Sequence, residues 1–142
     1  GGMTVRVEES FEFDAPPATI WGFIADPEWR AAPISVVDEY ESTGERTATW
    51  HLKLPIPLIR RTIAVETEDV ERRENEYVKF IGESRVMHVQ GEHEIEETET
   101  GCLLHNRFVV DGKMPGVERF FKKNFTDELD NIERAIRDSI DE

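Results

Sequence analysis

Apolar and polar side chains alternate along most of this chain, and a period of two is typical of β-strands that bury one face. The first alternating segment is 4–14. Six further segments share the pattern and are separated by short turn-forming stretches. They are 35–43, 46–54, 59–70, 76–84, 86–97 and 102–110. Connections this short leave no room for crossover helices, so the pattern predicts antiparallel neighbours.

Three other stretches carry apolar side chains at helical spacing. Two short helices are predicted directly after the first strand, one entered through Pro16 and Pro17 and one over 27–32. A long helix is predicted for 115–138, because seven apolar side chains three or four residues apart form one stripe. They are Val117, Phe121, Phe125, Leu129, Ile132, Ile136 and Ile140.

The order of these elements predicts an α+β domain with a curved antiparallel sheet of six or seven strands. Such a sheet has to bury one face, and only the long C-terminal helix is large enough to cover it. We therefore expect a single domain over 3–142, with a space between helix and sheet. Gly1 and Gly2 precede Met3 and are interpreted as the remnant of an expression tag.

Charge restricts the partners that this domain is expected to have. The chain has 142 residues, with 31 acidic against 17 basic side chains and a net charge of −14. A surface so acidic repels phosphate, so neither nucleic acid nor an anionic membrane is an expected partner. Only five of the bases are Lys. This composition suits a salt-rich cytoplasm as well as an ordinary acidic protein, and both interpretations stay open.

The chain contains no run of 18 apolar residues and no basic-then-apolar start, so we expect a cytoplasmic location without membrane insertion. The single Cys102 excludes an internal disulfide and a Cys-based zinc site, and its place in an alternating segment predicts a buried, inert thiol. Four side chains share the outward parity of the sixth strand and are interpreted as a solvated stripe. They are His88, Glu92, Glu94 and Glu96. We therefore expect no metal and no cofactor.

Strand parity also identifies polar side chains on the face that the helix should cover. Arg61, His93 and Asn106 are in phase with apolar neighbours on their strands. A buried polar group costs about 1–3 kcal/mol unless it is paired, so each needs a partner. His93 and Asn106 lie on adjacent predicted strands. They are interpreted as polar anchors of an apolar pocket, with a simple hydrogen bond in the core as the alternative. For Arg61 the alternatives are a position at the rim or a bulged strand.

The segment FEFDAPPATIWGFIADPEWRAAPI resembles the opening of the START and birch-pollen-allergen (SRPBCC) superfamily of helix-grip domains. Its matching residues are Ala15, Pro16, Trp21, Asp26, Pro27 and Trp29. The late hairpin GEHEIEETETGCLLHNRF and the Phe120-Phe121 pair in the last helix add to the resemblance. Within the superfamily, the chain is most similar to polyketide cyclase/dehydrase-like proteins and to proteins that resemble a subunit of carbon-monoxide dehydrogenase. The resemblance implies a helix-grip fold and ligands such as lipids, isoprenoids, quinones or polyketide-like aromatics.

Three functions remain open from the sequence. The first is binding of a small apolar or amphipathic molecule between the long helix and the sheet. The second is a cyclase or dehydratase in which His93, the one weak catalytic candidate, moves a proton. The third is an accessory protein that binds a partner enzyme. The expected ligand-binding residues are Trp21, Trp50, His93, Asn106, Phe108, Phe121 and Phe125.

Overall fold

The computed structural model describes residues 4–141, which form one seven-stranded sheet and three helices. The strands are β1 (Thr4–Phe13), β2 (Val37–Ser42), β3 (Thr47–Leu52), β4 (Ile63–Arg73), β5 (Tyr77–Glu83), β6 (Met87–Glu97) and β7 (Cys102–Gly112). The helices are α1 (Pro17–Ile24), α2 (Pro27–Ala31) and α3 (Val117–Ile140). All neighbouring strands are antiparallel, in the order β1-β7-β6-β5-β4-β3-β2. The predicted helix-grip fold is confirmed.

The two short helices follow from prolines at their starts. Pro17 begins α1 and Pro27 begins α2, at positions where the missing N–H group is not needed for a helical hydrogen bond. Between the helices, the carboxylate of Asp26 accepts a hydrogen bond of 3.0 Å from the main-chain N–H of Glu28. This bond caps α2 and separates it from α1.

The long helix α3 begins two residues later than predicted. Gly116 precedes it in a left-handed conformation with φ of 95°, which favours glycine, so Pro115 lies outside the helix. The predicted apolar stripe of α3 faces the sheet, from the buried Val117 to the buried Ile136. Its opposite face is charged, and no helix in residues 4–141 is long and apolar enough to cross a membrane.

Alternation of buried and exposed side chains is regular along β6 and β7. The inward side chains of β6 include Met87, His93 and Ile95, as parity predicts. The register places His93 directly opposite Asn106 of β7. Gly91 shares the inward parity of His93, and a Cβ there would be 2.3 Å from Cε1 of Phe80. The absence of a side chain at Gly91 therefore lets an aromatic ring lie against the sheet.

The prediction for the fourth strand needs a correction. The strand starts at Ile63 rather than at residue 59. Pro55 and Pro57 interrupt the pattern, and Leu58 takes a left-handed φ of 81°, so the chain turns outward before β4 begins. Arg61 is exposed and lies outside β4, so its predicted inward placement is wrong and the rim alternative holds. In its place, β4 brings Thr67 and Asp69 to the inner face.

Candidate ligand-binding cavity

A small apolar cavity of about 40 Å³ lies between the inner face of the sheet and α3. Most of its lining is hydrocarbon and aromatic, contributed by α2, the α2–β2 connection, five strands and α3. The lining residues are Arg30, Ile34, Val36, Trp50, Leu52, Val65, Thr67, Phe80, Met87, Val89, His93, Phe108, Phe121, Phe125 and Ile132. The cavity therefore has few polar groups. The hydrogen bonds that each polar group already makes within the protein determine whether it can still donate to or accept from a ligand.

His93 is held in one orientation by Asn106. The Nδ2 atom of Asn106 donates to the main-chain carbonyl of Glu9 at 3.1 Å, which turns its Oδ1 atom toward Nδ1 of His93 at 2.7 Å. Because Oδ1 can only accept, Nδ1 of His93 carries the hydrogen. Burial lowers the pKa of His93 to about 3, with a further contribution from the positive charge of Arg30. The ring is therefore neutral, and Nε2 is left as a hydrogen-bond acceptor.

A buried ion pair lies at the same cavity. Nη2 of Arg30 donates to Oδ1 of Asp69 at 2.5 Å, and Nη1 of Arg30 donates to the carbonyl of Ile24 at 2.9 Å. Burial lowers the pKa of Arg30, while the Asp69 carboxylate opposes that shift. The pair joins α2 to β4 and closes one side of the cavity.

Two donors on cavity-lining side chains have no partner within the described residues. They are Nε of Arg30 and Nε1 of Trp50, and both atoms are buried. Both side chains lie around one ring: Cζ of Arg30 is 5.2 Å from the centroid of Phe80, and the Trp50 ring is 5.7 Å from it. The His93 ring lies 6.5 Å from the same centroid. The three side chains that carry one acceptor and two donors thus all lie near the Phe80 ring.

The structure brings five of the predicted ligand-binding residues to the cavity. They are Trp50, His93, Phe108, Phe121 and Phe125. Asn106 lies behind His93 rather than at the cavity surface, as its bonds to Glu9 and His93 require. Trp21 does not line this cavity, because its ring packs beneath the guanidinium of Arg72, 5.7 Å away. Their proposed roles therefore differ: Asn106 positions His93, and Trp21 belongs to the α1–β4 contact.

Sequence reasoning missed the Arg30–Asp69 pair. Asp69 had a detectable signal, because it continues the inward parity of Ile63, Val65 and Thr67 along β4. Arg30 had none, since a charged residue in a five-residue helix is usually exposed. Glu128 was missed as well. It is buried on α3, where its carboxylate accepts bonds from the main-chain N–H and the hydroxyl of Ser35, at 3.2 and 3.1 Å.

The acidic stripe on the outer face of β6 is paired rather than merely solvated. Arg107 of β7 donates to Glu94 at 2.9 Å, and Nε2 of His105 lies 2.9 Å from Glu96. Residues 4–141 contain no group of three His, Cys, Asp or Glu side chains placed to hold a metal ion. Cys102 is buried, and burial raises the pKa of its thiol, so it is a poor nucleophile at neutral pH.

Fold and cavity together define a helix-grip domain with an apolar interior cavity. The chain belongs to the family described as polyketide cyclase / dehydrase and lipid transport, whose model matches residues 4–137. This match confirms the superfamily resemblance and its polyketide cyclase branch, whereas the resemblance to the carbon-monoxide-dehydrogenase protein stays a prediction. The chain has no significant match among curated proteins.

Solved structures with the same fold are distant in sequence. A START superfamily protein from Mycobacterium smegmatis is 14% identical, with a TM-score of 0.75 over 96% of this chain and 97% of that chain. The Zhui aromatase/cyclase from Streptomyces sp. R1128 is 12% identical, with a TM-score of 0.72 over 96% of both chains. The di-domain aromatase/cyclase StfQ of the steffimycin biosynthetic pathway is 10% identical, with a TM-score of 0.71 over 94% of this chain and 50% of that chain. At such identities, the likeness shows the fold alone.

Proposed function

We propose that this protein binds a small, mostly apolar molecule that carries one oxygen-bearing polar group. The observation that carries the proposal is a neutral His93, oriented by Asn106, at the wall of an otherwise apolar cavity. In apolar sites a few placed polar groups set the orientation of the ligand. The family description, which includes lipid transport, supports a ligand of this general kind.

The polar groups of the cavity favour a hydroxyl or carbonyl ligand. A ligand hydroxyl would donate to Nε2 of His93 and accept from a neighbouring donor, either Nε of Arg30 or Nε1 of Trp50. A ligand carbonyl would use the two donors alone. A buried donor without a partner costs about 1–3 kcal/mol, so a ligand oxygen that accepts from it recovers free energy on binding. A pure hydrocarbon has no acceptor for these donors, so its binding recovers none of that free energy.

The size of the cavity implies that binding rearranges side chains. Sites for drug-sized molecules usually measure about 300–1,000 Å³, whereas this cavity measures about 40 Å³. Trp50 is only half-buried, and Met87 is unbranched and adaptable, so both are suited to move. The Glu128–Ser35 bonds hold the α2–β2 connection against α3. We expect ligand uptake to open the wall between these two elements.

The low pKa of His93 is an argument against the cyclase or dehydratase alternative. A histidine whose pKa is about 3 holds a proton at neutral pH only at a cost of roughly 5 kcal/mol. General acid–base catalysis works best when the pKa of the catalytic group is near the working pH. Binding without proton transfer therefore fits this His93 better than a proton shuttle does.

Fluorescence titration with an uncharged apolar dye such as phenylnaphthylamine tests the proposal. We expect saturable binding of one dye per chain, and displacement by naphthol at about tenfold lower concentration than by methylnaphthalene, which lacks the hydroxyl. His93→Leu should reduce that difference, because the hydroxyl then loses its acceptor and keeps only a donor of Arg30 or Trp50. His88→Leu is the matched control, since His88 faces outward on the same strand and should leave the difference intact. Dye that does not saturate, or equal displacement by both competitors, would contradict the proposal.

A further inference from the structure

Positive charge is concentrated at one end of the sheet. The strand register places three connections at this end: 53–62 between β3 and β4, 84–86 between β5 and β6, and 113–116 before α3. Together with the first turns of α3, to residue 123, they contain eight of the 17 basic side chains and one of the 31 acidic ones. We call these segments (53–62, 84–86 and 113–123) the basic end. The rest of the chain carries all the other acidic residues.

Seven of the eight bases of this end are exposed and have no carboxylate partner among the described residues. They are Lys53, Arg60, Arg61, Arg85, Arg119, Lys122 and Lys123. None of them takes part in an ion pair within residues 4–141. In a chain with nearly two acids for each base, a group of unpaired cations indicates a surface for an anion outside the molecule.

An apolar tip stands among these cations. Leu58 is 80% exposed, and its left-handed φ of 81° is unusual for a bulky residue. It lies within the uncharged run 54–59, and it lines both of two surface grooves. Arg60, Arg61 and Arg85 line one groove, and Arg119 and Lys123 line the other. A strained, exposed leucine ringed by cations is costly in water and suited to an anionic surface with an apolar layer beneath it.

We propose that the basic end docks peripherally on an anionic lipid surface, with Leu58 at the boundary between headgroups and acyl chains. The arginines then contact lipid phosphates, and the apolar tip leaves water. An acidic protein would satisfy the cations but offers no acyl layer to the tip. The same end holds Leu52 and Met87, which line the interior cavity, so docking would bring the cavity close to the lipid.

The net charge of −14 does not prevent this contact. Acidic residues in the turns at the far end, such as Glu74 and Glu99, lie about one strand away, and the eleven residues of β6 span roughly 36 Å. The Debye length at physiological salt is about 8 Å, so their repulsion is screened at the basic end. On this proposal, the expectation from overall charge does not apply to the basic end, where bases outnumber acids even though Glu66 and Glu83 lie beside Arg61 and Arg85.

Vesicle flotation tests the proposal with the full chain. The vesicles contain phosphatidylcholine alone or phosphatidylcholine with about one third phosphatidylglycerol. We expect binding only to the anionic vesicles, and loss of that binding when salt is raised to about 0.5 M. Arg60→Gln with Arg61→Gln should weaken binding about 30-fold. Leu58→Asn, which suits the left-handed conformation, should weaken it about tenfold.

A charge-matched control separates docking from general electrostatics. Arg46→Gln with Arg134→Gln removes two exposed bases outside the basic end and should leave vesicle binding unchanged. Circular dichroism and thermal melting check that every variant is folded. Equal binding to neutral and anionic vesicles, equal weakening by the control pair, or capture by an acidic protein without any vesicle binding would overturn the proposal.

Discussion

The Nδ1 atom of His93 lies 2.7 Å from the Oδ1 atom of Asn106, directly across the β6–β7 pair. Since Asn106 also donates to the carbonyl of Glu9 on β1, three adjacent strands determine which ring nitrogen of His93 carries the hydrogen. The ring thus presents an acceptor although it is buried almost completely. This relationship leads to a direct prediction for the pH dependence of stability.

His93 should make the folded state less stable as pH falls. Its folded pKa of about 3 lies below the ordinary value of 6.5, so the unfolded chain binds this proton first. Stability is therefore lost progressively as pH falls from about 6.5 toward 3, and the loss reaches about 1.4 kcal/mol at about pH 5.5. His93→Gln should lack this part of the pH dependence. Urea unfolding of both proteins at about pH 7.5 and 5.5 measures it, and parallel pH profiles would contradict the pKa.

Breaking the Arg30–Asp69 pair should be costly. Asp69→Asn leaves the buried guanidinium without its counter-charge, and we expect a loss of about 3–5 kcal/mol in the free energy of unfolding. Glu133→Gln removes the exposed pair with Arg137 and should cost about 0.5 kcal/mol or less. The double replacement of Arg30 by Met and Asp69 by Leu should recover most of the stability. Denaturant unfolding distinguishes these outcomes, and similar losses at both pairs would show that burial does not dominate.

Gly91 and Gly22 should respond oppositely to alanine. A Cβ at Gly91 would be 2.3 Å from Phe80 and 2.8 Å from Phe108, so we expect Gly91→Ala to destabilise the protein by about 1–3 kcal/mol. At Gly22, inside α1, a Cβ meets no atom within 4 Å, and the better helix propensity of alanine should add about 0.5–1 kcal/mol. Thermal melting of the two variants checks the sign of each change. A stabilising Gly91→Ala would mean that the Phe80 ring is free to move.

Truncation of Phe121 should lower the stability of the protein and enlarge its cavity. Phe121→Ala removes a ring from the cavity wall, and we expect a loss of about 3–5 kcal/mol in stability together with tighter binding of a bulky apolar dye. Phe23→Ala is the matched control, because Phe23 packs on Trp29 away from the cavity. Dye titration of both variants measures the difference. If Phe23→Ala tightens binding equally, the dye site is elsewhere.

Salt should stabilise this acidic protein. Mutual repulsion at a net charge of −14 opposes the compact state at low ionic strength. Adaptation to a salt-rich cytoplasm predicts a melting temperature that rises steadily up to molar potassium chloride. An ordinary acidic protein should instead reach a plateau by about 0.2 M, where the Debye length is already under 8 Å. Thermal melts across this salt series decide between the two interpretations.

Much of the fold was predictable because alternation and helical spacing report burial directly. The inward side chains of β6 and β7, including His93 and Asn106, follow from a period of two within uninterrupted strands. The same rule failed at Arg61, because parity holds only while the strand continues, and the turn at Leu58 lies before β4 begins. Asp69, by contrast, obeyed the rule and was overlooked only because charge suggested exposure.

The sequence by itself determined the order of the elements, the antiparallel sheet and the stripe by which α3 covers it. These properties depend on local periodicity, which can be read directly from the order of the residues. Only the tertiary structure decided that Arg30 pairs with Asp69, 39 residues away, and that Ser35 is bonded to Glu128, 93 residues away. The tertiary structure also places unpaired bases from three separate segments around Leu58. Such contacts depend on how separate elements approach one another in space. Neither the spacing of residues along the chain nor its composition determines which side chains then meet.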